Sequence, residues 1–448
     1  MLSYMKKIAT KALKESTAVL VANSISILGT FGGIKLLIEL LSAQEYGTLA
    51  LAVSIQSGIS LLIFGPISQA GLRHASLWLT QEQSTQFQQA LTRLVKEGAI
   101  CAVLLIAVVG LYLKRFESIQ ATAWWVGIAI YSIASGITLV SGQLLNGIRK
   151  RVGYSILSTL DSILKYPLAY CCILAMTSSA LATFLGYILS STAVAGLSLL
   201  MLRATASSIK KNVQYQFNDF RETTLEIANR LRAYSLNFAV WGAAQGLYLA
   251  SDKWIIAKFY SLKELGFYML GYQLGFTPVA IISGITIQVI QPLLYNLKEN
   301  HLLSRPSEKS QDKTKTAQLL ICGISLILLG YLVWASLGHY LALRITGDKF
   351  LQSLDYFNIF AASAGIFGIG ELIACNFYNK ETLSLVKTIK IIVSAAGIAL
   401  NILAGMASNV KYLAAASLAT NALYLLLILF FLKLEECKTN QHMSSADH

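Results

Sequence analysis

The sequence predicts an all-α polytopic membrane protein, with about twelve transmembrane helices in two six-helix halves around a central cavity. Three observations lead there. First, 55% of the 448 residues are hydrophobic and only 13% are charged, with a mean hydropathy of +0.60. A soluble chain carries about 25% charged residues. Second, apolar runs of about 20 residues, enough to cross a hydrocarbon core of about 30 Å, recur from end to end. They lack the two-residue alternation of a membrane barrel. Third, a motif recurs: Ser42–Gly47, SAQEYG, returns about half a chain later as Ser261–Gly266, SLKELG. Each copy follows a helix-like apolar segment (IKLLIELL or KWIIAKFY) and precedes another apolar run.

The spans run at 16–41, 46–70, 91–113, 121–145, 153–175, 178–202, 233–257, 265–293, 317–338, 354–376, 384–407 and 411–432. The first follows Lys6, Lys7, Lys11 and Lys14 and is too long for a signal-peptide core. SAQEYG joins it to the second and reads as a short outside turn whose Gly47 permits a tight bend. The third begins with Arg93, Lys96 and Glu97 ahead of its apolar stretch. The fourth opens near Trp124 and Trp125 and leaves through LLNGIRK. The fifth holds Asp161, Lys165 and Pro167; the sixth is uncharged.

The polar, basic segment 203–232 then reads as a cytoplasmic linker between an N-terminal half, 1–202, and a C-terminal half, 233–433. The seventh span carries Asp252 and Lys253, and the eighth opens on the second motif. Gly242–Gly246 and Gly271–Gly275 have the spacing that lets helices approach closely. Residues 295–316 form a second polar segment before the ninth span. An outside loop near His339–Leu354 leads to the tenth, which contains Glu371. The eleventh and twelfth are apolar, with Lys380, Lys387 and Lys390 assigned to the inner flank of the eleventh. The polar tail, 434–448, reads as disordered.

An even number of spans places both termini on one side. The outer segments then hold only Lys114, Arg115, Lys258, Lys263, Arg344, Lys349 and Lys411, and most other Lys and Arg fall inside. That bias puts both termini in the cytoplasm and the chain in the inner, cytoplasmic membrane. It also accounts for the net charge of +14 without nucleic acid. The six cysteines form no disulfide frame or zinc spacing, and His74, His301, His339, His442 and His448 are scattered. No metal and no cofactor is expected. No phosphate-binding loop is present, and no outer segment is large enough for a catalytic domain, so an enzyme is not expected.

Charges within spans cost about 2.5–3.5 kcal/mol each on insertion scales, so each asks for a reason. Lys35 and Glu39 lie one helical turn apart, as do Asp161 and Lys165, so each pair shares a helix face and can neutralise itself. Lys35–Glu39 reads equally as a bridge that eases insertion or as a functional pair. Asp161–Lys165 leans to function, because Pro167 frees a carbonyl and kinks the helix. Asp252 and Lys253 are adjacent, so one is expected to face a cavity and the other a neighbouring helix or the interface. Glu371 is either a hydrogen-bonded buried acid or a proton or cation site. Arg73, with His74, is either an interfacial anchor or a recruiting cation at the inner mouth. Trp124, Trp125, Tyr131, Trp241, Tyr248, Trp254, Tyr268 and Tyr272 suit belts, packing or stacking on sugars.

These stretches resemble a known family. LLSAQEYGTLALAVSI and Ser251–Phe276, SDKWIIAKFYSLKELGFYMLGYQLGF, are similar to corresponding regions of Wzx-type polysaccharide (O-antigen) flippases, and LLNGIRK and RITGDKF fit the same pattern. The resemblance covers about residues 16–430. Many relatives carry Pro at Ala43, a basic residue at Glu39 and Pro near Asn237. The resemblance implies the multidrug/oligosaccharidyl-lipid/polysaccharide exporter superfamily, whose members move undecaprenyl-diphosphate-linked oligosaccharides to the outer leaflet for O-antigen, capsule or exopolysaccharide. Partners implied are that lipid-linked oligosaccharide, membrane lipids, and a polysaccharide polymerase with its chain-length machinery. On this reading Lys35, Arg73, Lys165 and Lys253 attract diphosphate. Glu39, Asp161, Asp252 and Glu371 set local charge or couple a cation gradient. The alternatives are a cation-coupled small-molecule antiporter of the same superfamily and, less well fitted, a polysaccharide polymerase.

Overall fold

Hydrocarbon offers a backbone no hydrogen-bond partners, so a chain this apolar forms elements that satisfy their own N–H and C=O groups. The computed structural model describes all residues except 1, 80–83, 114–121, 149, 177–178, 213–222, 304–305, 376–382, 408 and 447–448. Among the described residues every element is helical. They are α1 (Leu2–Leu40), α2 (Ala43–Ile59), a π-helical turn (Ser60–Phe64), α3 (Gly65–Arg73), α4 (Ala75–Leu79), α5 (Ser84–Leu113), α6 (Thr122–Gly147), α7 (Arg151–Ile163) and α8 (Lys165–Met176). Next come α9 (Ala180–Asn212), α10 (Thr224–Phe259), α11 (Leu262–Leu303), α12 (Pro306–Val333), a second π-helical turn (Trp334–Gly338) and α13 (His339–Thr346). A 3₁₀ turn (Asp348–Ser353), α14 (Leu354–Ala374), α15 (Leu383–Gly405) and α16 (Lys411–Ala446) complete the chain.

Within the described residues, each of the twelve expected spans falls on one helix or on consecutive helical elements. Among the described residues, 11 helices are long and apolar enough to cross a membrane. The remaining span falls in α10, which is 36 residues long and carries Asp252 and Lys253 within it. The chain is a multi-pass membrane protein.

Three differences from the expected elements share a cause. The segments 203–232 and 295–316 are largely helical, because α9 runs to Asn212, α10 starts at Thr224, α11 runs to Leu303 and α12 starts at Pro306. The tail expected to be disordered continues α16 to Ala446. Extending an existing helix adds one hydrogen bond per residue fixed and needs no new nucleus. Residues 213–222, the centre of the expected linker, and Arg149 lie outside the described residues.

The repeated motif is a helix start. Ser42 is the N-cap of α2: its Oγ accepts from the Glu45 N–H at 3.2 Å, and its own N–H donates to Glu45 Oε2 at 2.8 Å. This reciprocal capping box satisfies two of the amides a helix leaves over at its N-terminus. At the start of α11 the Ser261 Oγ likewise accepts from the Glu264 N–H, at 3.1 Å. The bend expected at Gly47 is absent; Gly47 is buried inside α2.

The chain packs as two compact units, Met1–Leu265 and Gly266–His448. In the first, α10 lies against α2, α3 and α5, while α6 and α8 pack on α9 and α1 lies along α7. One of its cores joins Ile67, Trp78, Phe87, Leu94, Leu144 and Leu231. Ser26 Oγ donates to Thr159 Oγ1 at 3.1 Å, and Thr159 Oγ1 donates to the Ala22 carbonyl at 3.1 Å, which ties α1 to α7. In the second unit, α14 packs on α16 and α12, and α16 on α15. Trp334 Nε1 donates to the Leu274 carbonyl at 3.0 Å.

The π turn at Ser60–Phe64 shows why Gly242 is required. Gly65 N–H bonds back to the Ser60 carbonyl, five residues earlier. Pro66 has no N–H to offer the Leu61 carbonyl in the same register. The backbone of α10 fills that gap: a Cβ on Gly242 would stand 2.6 Å from Leu61 O, and one on Gly246 would stand 3.2 Å from Gly58 O. The second pair acts likewise in the other unit, where a Cβ on Gly271 would stand 2.6 Å from Ser353 O. A backbone carbonyl cannot swing aside as a side chain can. Gly242→Leu is therefore expected to destabilise the protein by about 1–3 kcal/mol. Gly32→Leu, where nothing lies within 4 Å, is expected to leave the thermal unfolding of purified protein nearly unchanged.

Candidate functional site

The fifth span breaks where its charges sit. Leu164 separates α7 from α8, and Pro167 cannot donate to the Ile163 carbonyl one turn back. Asp161 is on one side of the break and Lys165 on the other. Among the described residues no direct ion pair joins them, and they stand one turn apart on one span. Lys165, partly buried, instead turns to aromatic faces. Its Nζ lies 5.1 Å from the Tyr166 ring centroid and 5.6 Å from that of Tyr187. Tyr166 and Tyr187 meet edge to face at 6.2 Å, and Tyr131 extends the group at 6.5 Å from Tyr187. A cation between ring faces is held by their quadrupoles, by about 0.5–2 kcal/mol depending on desolvation. That interaction holds the ammonium without a carboxylate bonded to it.

Polar groups follow the same helices. The Oγ atoms of Ser132 on α6 and of Ser190 and Ser191 on α9 are buried and lack hydrogen-bond partners among the described residues. At the π turn, Gln56 Nε2 donates to Ser60 Oγ at 2.9 Å and to Ser135 Oγ at 2.6 Å. Sequence reading missed this network, because Gln and Ser within a span raise no insertion penalty large enough to stand out.

The other sequence candidates divide. Lys35 and Glu39 are exposed on α1 and make no ion pair with each other among the described residues; α1 turns this face away from its packing. Arg73 is exposed at the end of α3, beside His74, whose ring meets Tyr234 at 5.4 Å. Asp252 and Lys253 are each 7% exposed and do not point apart. Lys253 Nζ reaches back to Asp252 Oδ1 at 2.9 Å and to the Leu249 carbonyl at 2.7 Å. The long lysine stem overcomes the angular separation of neighbours, because an unpaired buried charge costs more than a bent rotamer.

Glu371 finds partners remote in sequence. Lys390 Nζ lies 2.7 Å from its Oε1, and the Tyr424 hydroxyl donates to the same oxygen at 2.9 Å. The three groups come from α14, α15 and α16. Lys390 also lies 5.7 Å from the Tyr424 ring centroid. The sequence reading sets Lys390 on an inner flank. Its place inside an apolar run, where a lone cation calls for a carboxylate, is the signal for its role. Among the described residues no cluster of His, Cys, Asp or Glu suits a metal ion.

A family model described as "Polysaccharide biosynthesis protein" matches residues 36–319. The chain belongs to the polysaccharide biosynthesis protein family. No curated protein matches by sequence. Among solved structures, the lipid II flippase MurJ in an inward closed conformation is 12% identical, with 94% of this chain and 87% of that one covered at a TM-score of 0.61. The MATE multidrug transporter DinF-BH, in a ligand complex, is also 12% identical, covering 93% and 95% at 0.62. The Vibrio cholerae MATE transporter VcmN, as a point mutant, is 15% identical, covering 94% and 97% at 0.53. The expected exporter superfamily agrees with these matches, and each neighbour is named as a flippase or a transporter. In this polysaccharide biosynthesis protein, the fold brings together Lys165 with its tyrosines and Glu371 with Lys390. It leaves Lys35, Glu39 and Arg73 on exposed surface.

The Glu371–Lys390 pair is expected to act as a unit. Glu371→Gln or Lys390→Met alone strands a partly buried charge, at a cost of about 1–3 kcal/mol. The double substitution is expected to cost less than the two summed, by about 1–3 kcal/mol. Unfolding of the four proteins in detergent measures the coupling, and strictly additive losses would rule the unit out.

Proposed function

We propose that this protein is a flippase that moves undecaprenyl-diphosphate-linked oligosaccharide from the cytoplasmic to the outer leaflet for surface polysaccharide synthesis. One observation carries the reading: Lys165, a cation within a span, is held by tyrosine faces and leaves its charge available. A diphosphate-sugar headgroup needs such a charge, together with aromatic faces and hydroxyls to replace water, since bare hydrocarbon would strip its hydration at several kcal/mol per polar group. Tyr131, Tyr166 and Tyr187 supply the faces, and Ser132, Ser190 and Ser191 supply the hydroxyls. Membership of the polysaccharide biosynthesis family and the fold shared with a protein named lipid II flippase support the substrate class. The remaining assignments are part of the same proposal. The two halves are 1–202 and 233–433, and both termini lie in the cytoplasm of the inner membrane. Lys35, Arg73 and Lys253 assist headgroup attraction, and Asp161, Asp252 and Glu39 set local charge. A polymerase and chain-length machinery act on the product.

A second reading, a cation-coupled small-molecule antiporter, is favoured by Glu371, a carboxylate held inside a span beside a lysine and a phenol. In the flippase reading that group couples a cation gradient.

Deleting the protein is expected to abolish surface polysaccharide and to accumulate the lipid-linked unit on the cytoplasmic leaflet. If the unit still reached the outer leaflet and only chain length changed, the proposal would fail. At equal membrane levels, Lys165→Ala is expected to reduce export about tenfold or more, the worth of a charge-assisted hydrogen bond, and Lys165→Arg to retain most of it. Undiminished export in both would remove Lys165 from the mechanism.

A further inference from the structure

The end of α6 and the start of α7 border a second pocket, mostly apolar with basic groups at its edge, distinct from the Lys165 cluster and wholly within the first unit. A cavity of about 420 Å³ is lined by Lys150, Arg151, Val152, Leu145, Met201 and Thr205, among others. Three helix ends build it: the last turn of α6, the first turn of α7 and the C-terminal part of α9. Lys150 Nζ donates to Thr205 Oγ1 at 3.1 Å. Among the described residues neither Lys150 nor Arg151 has a carboxylate partner, and no acidic side chain lines the cavity. The described residues that line the cavity therefore carry a net positive charge.

The backbone adds to it. No side chain caps α7, whereas Ser42 and Thr223 close capping boxes on α2 and α10. The first bond of α7 runs from Tyr154 N–H to the Lys150 carbonyl at 3.2 Å, so the amides of Arg151, Val152 and Gly153 precede it. Such amides favour an anion.

The rim of the cavity is apolar on one side. Val152, which lines the cavity, is 44% exposed; Ile156, one turn further along α7, is 46% exposed, and Leu200, next in sequence to the lining Met201, is 60% exposed. In a membrane these side chains meet acyl chains. Cations at the rim with an exposed apolar strip beside them match a lipid with an acidic head. Size narrows the choice. Ligand pockets run from about 300 to 1,000 Å³, so this one suits a single small headgroup and not a chain of sugars. Basic pockets between spanning helices are known to hold acidic lipid heads.

We propose that this cavity binds the phosphate headgroup of an anionic phospholipid of the adjoining leaflet, with its acyl chains along Val152 and Ile156. Lys150 and Arg151 contact the phosphate, and Thr205 holds Lys150 in place. The site is separate from the transported cargo, and its test reads binding alone, so it stands or falls independently of the flippase reading.

Delipidated full-length protein in a neutral detergent is titrated with short-chain phosphatidylglycerol, with phosphatidylcholine of the same chains, and with inorganic phosphate. Binding is read by native mass spectrometry. Phosphatidylglycerol is expected to bind about tenfold more tightly than phosphatidylcholine, the worth of one or two charge-assisted bonds. Lys150→Gln with Arg151→Gln is expected to erase that preference, and Lys150→Arg with Arg151→Lys to preserve it. The charge-keeping pair keeps the test decisive if the neutral pair folds poorly. Equal binding of the two lipids by the native protein, or a preference unchanged in the neutral pair, would overturn the proposal. So would displacement of phosphatidylglycerol by millimolar phosphate, which would mark an adventitious anion site only.

Discussion

The structure depends on one constraint: a backbone inside hydrocarbon must satisfy its own polar groups. Helices meet it, and the chain forms nothing else among its described residues. The informative places are those where the helical ladder is interrupted. At Ser60–Phe64 the chain widens to a π turn, Pro66 withholds a donor, and glycines on α10 bring another backbone against the Leu61 and Gly58 carbonyls. At Trp334–Gly338 a second π turn begins with Trp334, whose indole donates to the Leu274 carbonyl of α11. At Leu164 the fifth span breaks ahead of Pro167. The first and third of these breaks lie beside the first unit's functional candidates, the Gln56 network and Lys165. π turns recur at functional positions because they expose backbone that a regular helix conceals.

The second constraint is charge. Each intramembrane ion here meets its cost differently. Lys253 folds back on Asp252 and on the helix that carries both. Glu371 takes a lysine and a tyrosine from two other helices. Lys165 accepts ring faces in place of a carboxylate. These three solutions have different consequences. The Asp252–Lys253 pair holds two opposite charges in contact on one helix. A cross-helix pair ties three helices together and changes strength if its carboxylate is protonated. A cation on aromatic faces has no carboxylate bonded to it, the property an anionic headgroup requires.

The recurrence of SAQEYG as SLKELG is legible in the sequence as a duplication, but its physical role is not the turn that the sequence suggests. Ser and Glu three residues apart form a capping box, and the glycine that looks like a bend is interior helix. The error comes from treating Gly as a turn residue when the helix-start signal ahead of it is stronger. Cation placement goes astray for a similar reason. Lys390 stands near a predicted boundary, and a shift of a few residues moves it from an inner flank into a span.

What the sequence determined by itself was the helical class, the number and order of spans, the intramembrane charges worth explaining, and the family pattern. These follow from composition and local periodicity, which act on neighbouring residues. Tertiary structure decided which charges answer one another. Glu371 meets Lys390 and Tyr424 only because α14, α15 and α16 pack side by side. Asp161 and Lys165, which spacing paired, stand on either side of the junction at Leu164 and form no direct ion pair among the described residues. Lys165 faces Tyr187 because α8 and α9 pack closely. Partnership between ions is set by distance across helices and by rotamer reach, and neither is written in the order of residues along the chain.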